Sequence, residues 1–444
     1  MYVADSRTGT PSAQGAVRPG RAGRRRPAVA PTVLALGTVS LVTDVSSEMV
    51  TAVLPLYLVA GLGLSPLGFG LLDGIYNGFS ALVRLAGGHL ADRGGGRHKW
   101  VAGLGYGISA LCKPLLLLAH TLTPIGLILA ADRTGKGLRT APRDALISLS
   151  STPETRGRAF GVHRAMDTAG ALLGPLVAFL ILRATVDGYD AVFTVSCCVA
   201  VTGVLVLVLF VPGGTARPDG VPGGTDRTPV PGGTDPTGDT TPADGAARPT
   251  LRAALGLLRR RDLRRIAVCA LLLGLATVSD SFVYLLLQRR LGVPDRWFAL
   301  LPLGTAAAFL LLAVPLGRLA DRVGRWRIFL AGHGALLLAY GLLLTSWHGT
   351  ALPYAVLALH GGFYAATDGV LMAAASDGVP EALRSSGLAV VQTGQALARF
   401  ACSLLFGSAW TVWGDRTALA AATVALTVCA AFSYALRPAR EHTS

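Results

Sequence analysis

Charged residues are scarce in this chain. Only 15% of its 444 residues are Asp, Glu, Lys or Arg, where a soluble protein carries about a quarter. That shortage excludes an ordinary water-soluble globular fold of this length. Cysteine and histidine are also few, at six and eight. All six cysteines (Cys112, Cys197, Cys198, Cys269, Cys402 and Cys429) fall in apolar runs without metal-ligand spacing, so neither a disulfide framework nor a metal centre is expected. The histidines are scattered and no nucleophile–base cluster accompanies them, which argues against an enzyme. Acid is the scarcer sign of charge: 25 Asp and Glu stand against 40 Lys and Arg, a formal net charge of +15.

What is abundant is apolar surface. Hydrophobic residues make up 52% of the chain and collect in runs of about 20, long enough to cross a hydrocarbon core about 30 Å thick. Spans are expected near 32–58, 66–90, 100–120, 123–149, 158–183, 190–211, 265–288, 297–317, 328–347, 351–376, 385–411 and 416–436, the fourth and tenth being the least hydrophobic. The fold class expected is therefore all-α and integral to the membrane. The basic residues favour one side: Arg21 to Arg26, Arg93, Arg97, Lys99, Arg156, Arg158, Arg259 to Arg265, Arg322, Arg325, Arg327, Arg384, Arg437 and Arg440 fall at alternate connections and both ends, with Arg289, Arg290, Arg296 and Arg416 the main exceptions. By the positive-inside rule both termini are expected in the cytoplasm, in a multi-pass protein of the cytoplasmic (inner) membrane. The net basicity is then a topology signal, and no nucleic-acid partner is expected.

The spans fall into two sets of six. Residues 1–31, containing "RPGRAGRRRP", form a basic tail expected to be disordered. Residues 32–211 form the first bundle and 265–437 the second, with a short tail at 438–444. Between the bundles, 212–264 repeats Val-Pro-Gly-Gly-Thr from Val211, Val221 and Val230. Such composition cannot bury a core and is read as a linker, ending in a candidate amphipathic helix at 251–265. The halves echo each other: "GGHLADRGGGRHKW" (87–100) returns as "LGRLADRVGRWRI" (316–328), and "TPETRGRAFGV" (152–162) as "VPEALRSSGLAV" (379–390). Repeated bundles around a midplane cavity are the architecture of secondary transporters.

These motifs resemble those of the major facilitator superfamily, over nearly all of 32–437. The Gly-x-x-x-Asp-Arg-x-Gly-Arg signature stands at Gly317, Asp321, Arg322, Gly324 and Arg325; its first copy (Gly88, Asp92, Arg93, Gly95, Arg97) has one extra glycine. The resemblance implies two six-helix bundles related by a pseudo-two-fold axis, with these loops locking an inner gate. In the fifth span, Gly161, Gly170, Gly174 and Pro175 are similar to an antiporter pattern, although its trailing Gly-Gly is Ala178-Phe179 here. In the fourth, Arg133, Lys136, Gly137 and Arg139 stand where the family carries Arg-x-x-Gln-Gly-x-Gly, which implies a proton-coupling role for Arg133.

Helical geometry places Arg133, Lys136, Arg139 and Arg143 within an arc of about 120°, with Asp132 inside it and Asp144 at its edge. Charges at membrane depth cost about 2.5–3.5 kcal/mol each, so they must pair or face a cavity. Arg143 is within snorkelling reach of the loop at Ser150; Arg133 and Lys136 are not. Candidate partners for coupling are Asp44 and Glu48 in the first span, Asp167 in the fifth (four residues after His163), Asp280 in the seventh and Asp368 in the tenth, with Asp44, Glu48 and Asp280 preferred. Ser47 and Thr51 share the face of Asp44 and Glu48. Gln392, Gln395 and Arg399 form a stripe in the eleventh span and, with Ser47, Thr51 and Arg139, are expected at a substrate cavity. The pairing expected for Arg133 is Asp44 or Glu48.

The expected function is a secondary transporter, most consistent with proton-coupled efflux of a small organic molecule by antiport, needing no cofactor beyond a proton gradient. The cationic fourth span leans towards anionic or zwitterionic substrates. The rivals are an importer or organic-anion or phosphate exchanger in which Arg133, Lys136 and Arg399 clamp the substrate, and a membrane sensor without flux. The partners expected are the substrate and the lipid bilayer, the protein acting as a monomer.

Overall fold

The computed structural model describes residues 30–93, 98–152, 155–186, 188–212, 259, 261–346, 349–377 and 384–436. The basic tail to residue 29, the linker from 213 to 258, Arg97 and residues 437–444 lie outside the described residues, as does most of the candidate amphipathic helix. Gly88, Asp92 and Arg93 are described only as part of a helix backbone.

Twelve long helical segments follow one another, and no strand occurs among the described residues. In the first half they are α1 (Pro31–Leu56), α2 (Pro66–Arg93), α3 (His98–Leu118), α4 (Leu122–Leu149), α5 (Arg156–Ala184) and α6 (Gly188–Phe210). In the second they are α7, which is broken into Arg261–Ala276 and Asp280–Leu291, then α8 (Leu301–Val323), α9 (Arg325–Leu344), α10 (Leu352–Asp377), α11 (Arg384–Trp413) and α12 (Asp415–Ala435). Lipid offers no hydrogen-bond partner to backbone, so apolar runs of this length satisfy their own amides as helices. Nine spans among the described residues are long and apolar enough to cross a membrane. The other three, α2, α4 and α10, have 28, 28 and 26 residues and carry polar groups that the bundle buries.

Proline opens α1 and α2, where a missing N–H costs nothing. Within helices, Pro55 precedes a widened π-helical end to α1 at Tyr57–Gly61. The tight α8–α9 connection is made by Gly324, whose φ of 111° suits only glycine. That gives one position of the Gly-x-x-x-Asp-Arg-x-Gly-Arg signature a local reason, and Asp321 meets Arg325 at 3.5 Å across the same turn.

In the first half α1 packs on α5 and α6, and α4 on α2 and α3; in the second α10 packs on α8 and α9, and α11 on α7. The halves meet chiefly where the first part of α2 crosses the last part of α11. A Cβ added to Gly70 would lie 2.4 Å from Ser403 O, and one on Gly407 2.5 Å from Pro66 O, so the two backbones touch. Phe69, Phe282, Phe406 and Trp410 pack ring against ring around this seam. On the other flank, the ring of Trp297, in a helical turn at Asp295–Phe298, lies 5.1 Å from that of Phe179 on α5. Both contacts are at the end of the bundle opposite the start of α1 and the end of α12, here called the loop end.

The fifth-span glycines divide in two. Gly170 and Gly174 bring α5 against α1, where added Cβ atoms would stand 2.5 Å from Leu41 O and 2.7 Å from Glu48 Cβ. Gly161 has no such neighbour, and neither does Gly317.

Candidate functional site

The four cations of α4 do not share one environment. Arg133 bonds its sequence neighbour Asp132, with Nη2 and Nε donating to Oδ2 at 2.5 and 3.1 Å. Asp132 also accepts from Lys113 Nζ at 3.1 Å and Ser109 Oγ at 2.6 Å. The guanidinium of Arg133 lies 3.8 Å over the Tyr76 ring. Next along α4, Lys136 is 3.7 Å from Glu48. One turn on, Arg139 is 3.3 Å from Asp44 and lies over the ring of Tyr106. Finally Arg143 meets Asp144 at 3.1 Å, Asp167 at 3.7 Å and Ser40 Oγ at 3.2 Å, while Ser40 also bonds His163. Antiparallel α1 and α4 thus form a ladder in which 139 meets 44 and 136 meets 48.

The expected pairing of Arg133 with Asp44 or Glu48 is corrected by this register. Its long side chain folds back on Asp132, and the residues one and two turns further on take the α1 carboxylates. Arg139, expected at the substrate cavity, is instead 3% exposed and locked to Asp44. Lys113 escaped the sequence reading, although a lysine inside "SALCKPLLLL" was a legible signal.

Exposure separates the rungs. The Lys136 and Glu48 side chains are 35% and 26% exposed, and a pair that wet contributes under about 1 kcal/mol. Glu48→Gln is therefore expected to leave thermal stability within about 1 kcal/mol of wild type, whereas Asp44→Asn should exceed that loss because Arg139 is left buried without its counter-charge. Denaturation midpoints of the two purified variants check this, and equal losses would contradict the ladder.

A cavity of about 370 Å³ lies between the halves. Glu48 and Thr51 of α1 and Tyr76 and Asn77 of α2 form one wall; Asp280, Tyr284, Thr305, Tyr364, Asp368 and Arg399 form the other. The break in α7 builds the second wall. At Thr277–Val278–Ser279 the chain leaves the helix, and the freed groups find side chains: Val278 N–H donates to Tyr340 OH at 2.9 Å, and Cys402 Sγ donates to Thr277 O at 3.1 Å. Asp280 then opens the second part of α7, where a helix N-terminus favours a carboxylate. It accepts from His360 Nε2 at 3.0 Å and from the Tyr364 hydroxyl, and Arg399 faces it alongside Asp368.

Of the expected cavity residues, Glu48, Thr51, Asp280, Asp368 and Arg399 do line this space. Ser47 lines a separate small pocket beside Arg133 and Lys113, and Gln395 one beside His333 and Arg399. Gln392 is exposed and outside the cavity wall. Asp132 and Asp167 belong to the α4 network. His360, Tyr364 and the buried Asp73 of α2 were missed. Asp73 was visible as the single acid in "GFGLLDGIYNG"; Ser403 Oγ of α11 donates to its Oδ2 at 2.6 Å, across the seam.

Two six-helix bundles enclosing a polar cavity at their seam define a multi-pass membrane protein of the transporter class. Residues 36–403 match the family model described as the Major Facilitator Superfamily, and the chain belongs to that family. An uncharacterised MFS-type transporter of Methanocaldococcus jannaschii is 28% identical over 404 residues, covering 89% of this chain and 92% of that protein. An uncharacterised protein of Mycobacterium tuberculosis is 34% identical over 179 residues, 40% of this chain and 43% of its own. Among solved structures, the nucleoside transporter NupG superposes with a TM-score of 0.73 at 12% identity, covering 91% of this chain and 98% of that one. A bacterial homologue of the human lysosomal transporter Spinster gives 0.69 at 17% identity, covering 91% and 96%. Both likenesses are of fold.

Proposed function

We propose that the protein is a secondary transporter that moves a small zwitterionic organic molecule across the cytoplasmic membrane by alternating access, as proton-coupled efflux. The observation that carries the reading is the cavity between the halves, whose wall holds three carboxylates (Glu48, Asp280, Asp368) against one guanidinium, Arg399. The cations on α4 that suggested an anionic substrate are engaged by protein carboxylates. What faces the cavity suits an ammonium group near Asp368 or Glu48 and a carboxylate at Arg399, which narrows the expectation to its zwitterionic member. Solved structures of similar fold include a nucleoside transporter and a peptide transporter, and small polar cargo is in keeping with this reading.

Proton coupling is supported by the α1–α4 ladder, in which the half-wet Glu48–Lys136 pair touches the cavity wall and can break as the cavity hydrates. Efflux rather than uptake is supported by the fifth-span pattern, whose Gly170 and Gly174 set the α1–α5 contact behind Glu48. With both termini cytoplasmic, the closed loop-end seam is the extracellular gate. The chain acts as a monomer, and the gradient takes the place of any cofactor.

The test is a thermal-shift panel of anionic, cationic and zwitterionic metabolites on the purified full-length chain, followed by flux in liposomes with an imposed pH gradient. A ligand at about 100 times its Kd stabilises by about 2.7 kcal/mol. Zwitterions are expected to stabilise wild type and to lose that effect in Arg399→Gln, and flux is expected to stop with an uncoupler. Stabilisation by simple anions alone would overturn the substrate class; flux indifferent to the uncoupler would overturn proton coupling.

A further inference from the structure

Asp73 is a carboxylate at membrane depth that the α4 network does not account for. It is 5% exposed, and no Lys, Arg or His among the described residues lies within ion-pair distance. The groups facing it are hydroxyls. Ser403 Oγ donates to it from α11, and the Ser279 and Ser281 side chains approach from the break in α7. Ser279 Oγ is buried with no settled partner of its own. The titratable neighbours are Asp280 on α7, which repels a second negative charge, and Cys402 on α11. Arg399, one turn along α11, is turned to Asp280 and Tyr364. On α4, Arg133 is turned to Asp132 and the Tyr76 ring. A negative charge left here without a counter-charge would be prohibitively costly in a low-dielectric interior.

The position matters as much as the burial. Asp73 lies in the seam between the halves, where Gly70, Gly74 and Gly78 let α2 touch α11. This seam must part when the loop end opens, and parting exposes Asp73 to water and removes Ser403. Meanwhile Ser279 and Ser281 stand between Asp73 and the cavity, since both also line it. The group therefore has two routes: directly to water at the loop end when the seam is open, and through two hydroxyls to the cavity when it is closed.

We propose that Asp73 is a proton-carrying residue of the transport cycle, neutral in the closed seam seen here and ionised when the seam opens. A proton from loop-end water neutralises the carboxylate and permits the helices to close over it. From the closed state it leaves by way of Ser279 and Ser281 into the cavity. The inference rests on the proton-coupled reading above and adds to it a site outside the α1–α4 ladder, one that would make closure of the loop end conditional on protonation.

Hydrogen–deuterium exchange of the full-length chain in nanodiscs tests this, comparing wild type and Asp73→Asn at the same pH so that intrinsic chemistry cancels. At pH about 5 the peptides covering 66–78 and 400–411 should exchange alike in both proteins; at pH about 8 they should exchange at least about tenfold faster in wild type. Equal exchange at both pH values would overturn the proposal. So would sodium restoring protection to wild type at the higher pH, which would make the bound cation sodium. Should Asp73→Asn not fold, wild type alone decides: exchange of the seam peptides relative to those of α12 rises with pH if the proposal holds and stays flat if it does not. A pH-responsive seam with uncoupler-insensitive flux would retain the Asp73 switch and reject the coupled transport, so the two failures are distinct.

Discussion

Asp132→Asn is expected to cost about 3–5 kcal/mol, the largest single-residue loss of stability in the first bundle, because it strands two buried cations rather than one. Lys113 and Arg133 have side chains 3% and 6% exposed, and Asp132 is the acceptor they share. Removing its charge leaves both at membrane depth, with only the Tyr76 ring beneath Arg133 as partial compensation. The second substitution Lys113→Met should recover part of the loss, since a neutral apolar chain of similar length then replaces a stranded cation. The midpoint of thermal aggregation in mild detergent is the readout, with Asp44→Asn as comparison. A loss under about 1 kcal/mol for Asp132→Asn would place this cluster in water rather than in the bundle. The same variant also separates structural from coupling roles for Arg133. A guanidinium shared between an adjacent carboxylate and an aromatic face holds α3, α2 and α4 together, and the breakable pair of the ladder is the one at Lys136.

That division shows what the sequence could convey. The spacing of 133, 136, 139 and 143 placed four cations on one stripe of α4, and the structure keeps them there. A stripe about 120° wide still faces several neighbours, however, and nothing local says which helix supplies each carboxylate. Asp132 is taken by α3, Asp44 and Glu48 come from α1, and Asp167 comes from α5. The break in α7 was hidden for a related reason. Thr277, Val278 and Ser279 include neither proline nor glycine, and their broken backbone bonds are met by Tyr340 and Cys402, distant in sequence. Apolar run lengths and the duplicated Gly-x-x-x-Asp-Arg signature carried the twelve-helix architecture, because burial and turn geometry are local requirements. Asp73 was visible as a polar interruption, but its meaning depends on the packing of α2 against the opposite half.

Gly70→Leu is expected to shift the balance between closed and open seam by about a hundredfold, corresponding to about 3 kcal/mol of overpacking. The Cβ alone would stand 2.4 Å from Ser403 O, which is backbone and cannot swing aside. Gly407→Leu meets Pro66 O at 2.5 Å and should act in the same direction. Because these contacts join the two halves, the strain is relieved by parting the seam, so folding is retained while closure is lost. Gly174→Leu makes the useful contrast: its Cβ would meet Glu48 Cβ at 2.7 Å and Met49 N at 2.9 Å, inside one bundle, where no rigid-body movement of the halves relieves it. That variant should lose stability, and Gly161→Ala, with open space around it, should change neither property. Seam exchange reads the difference: at pH about 5 Gly70→Leu should exchange fast even where protonation holds wild type closed, and at pH about 8 adding Asp73→Asn to it should not restore protection. If the double variant did regain it, the steric seam would be weaker than the protonation that closes it, and the order of the two contributions at the loop-end gate would be reversed.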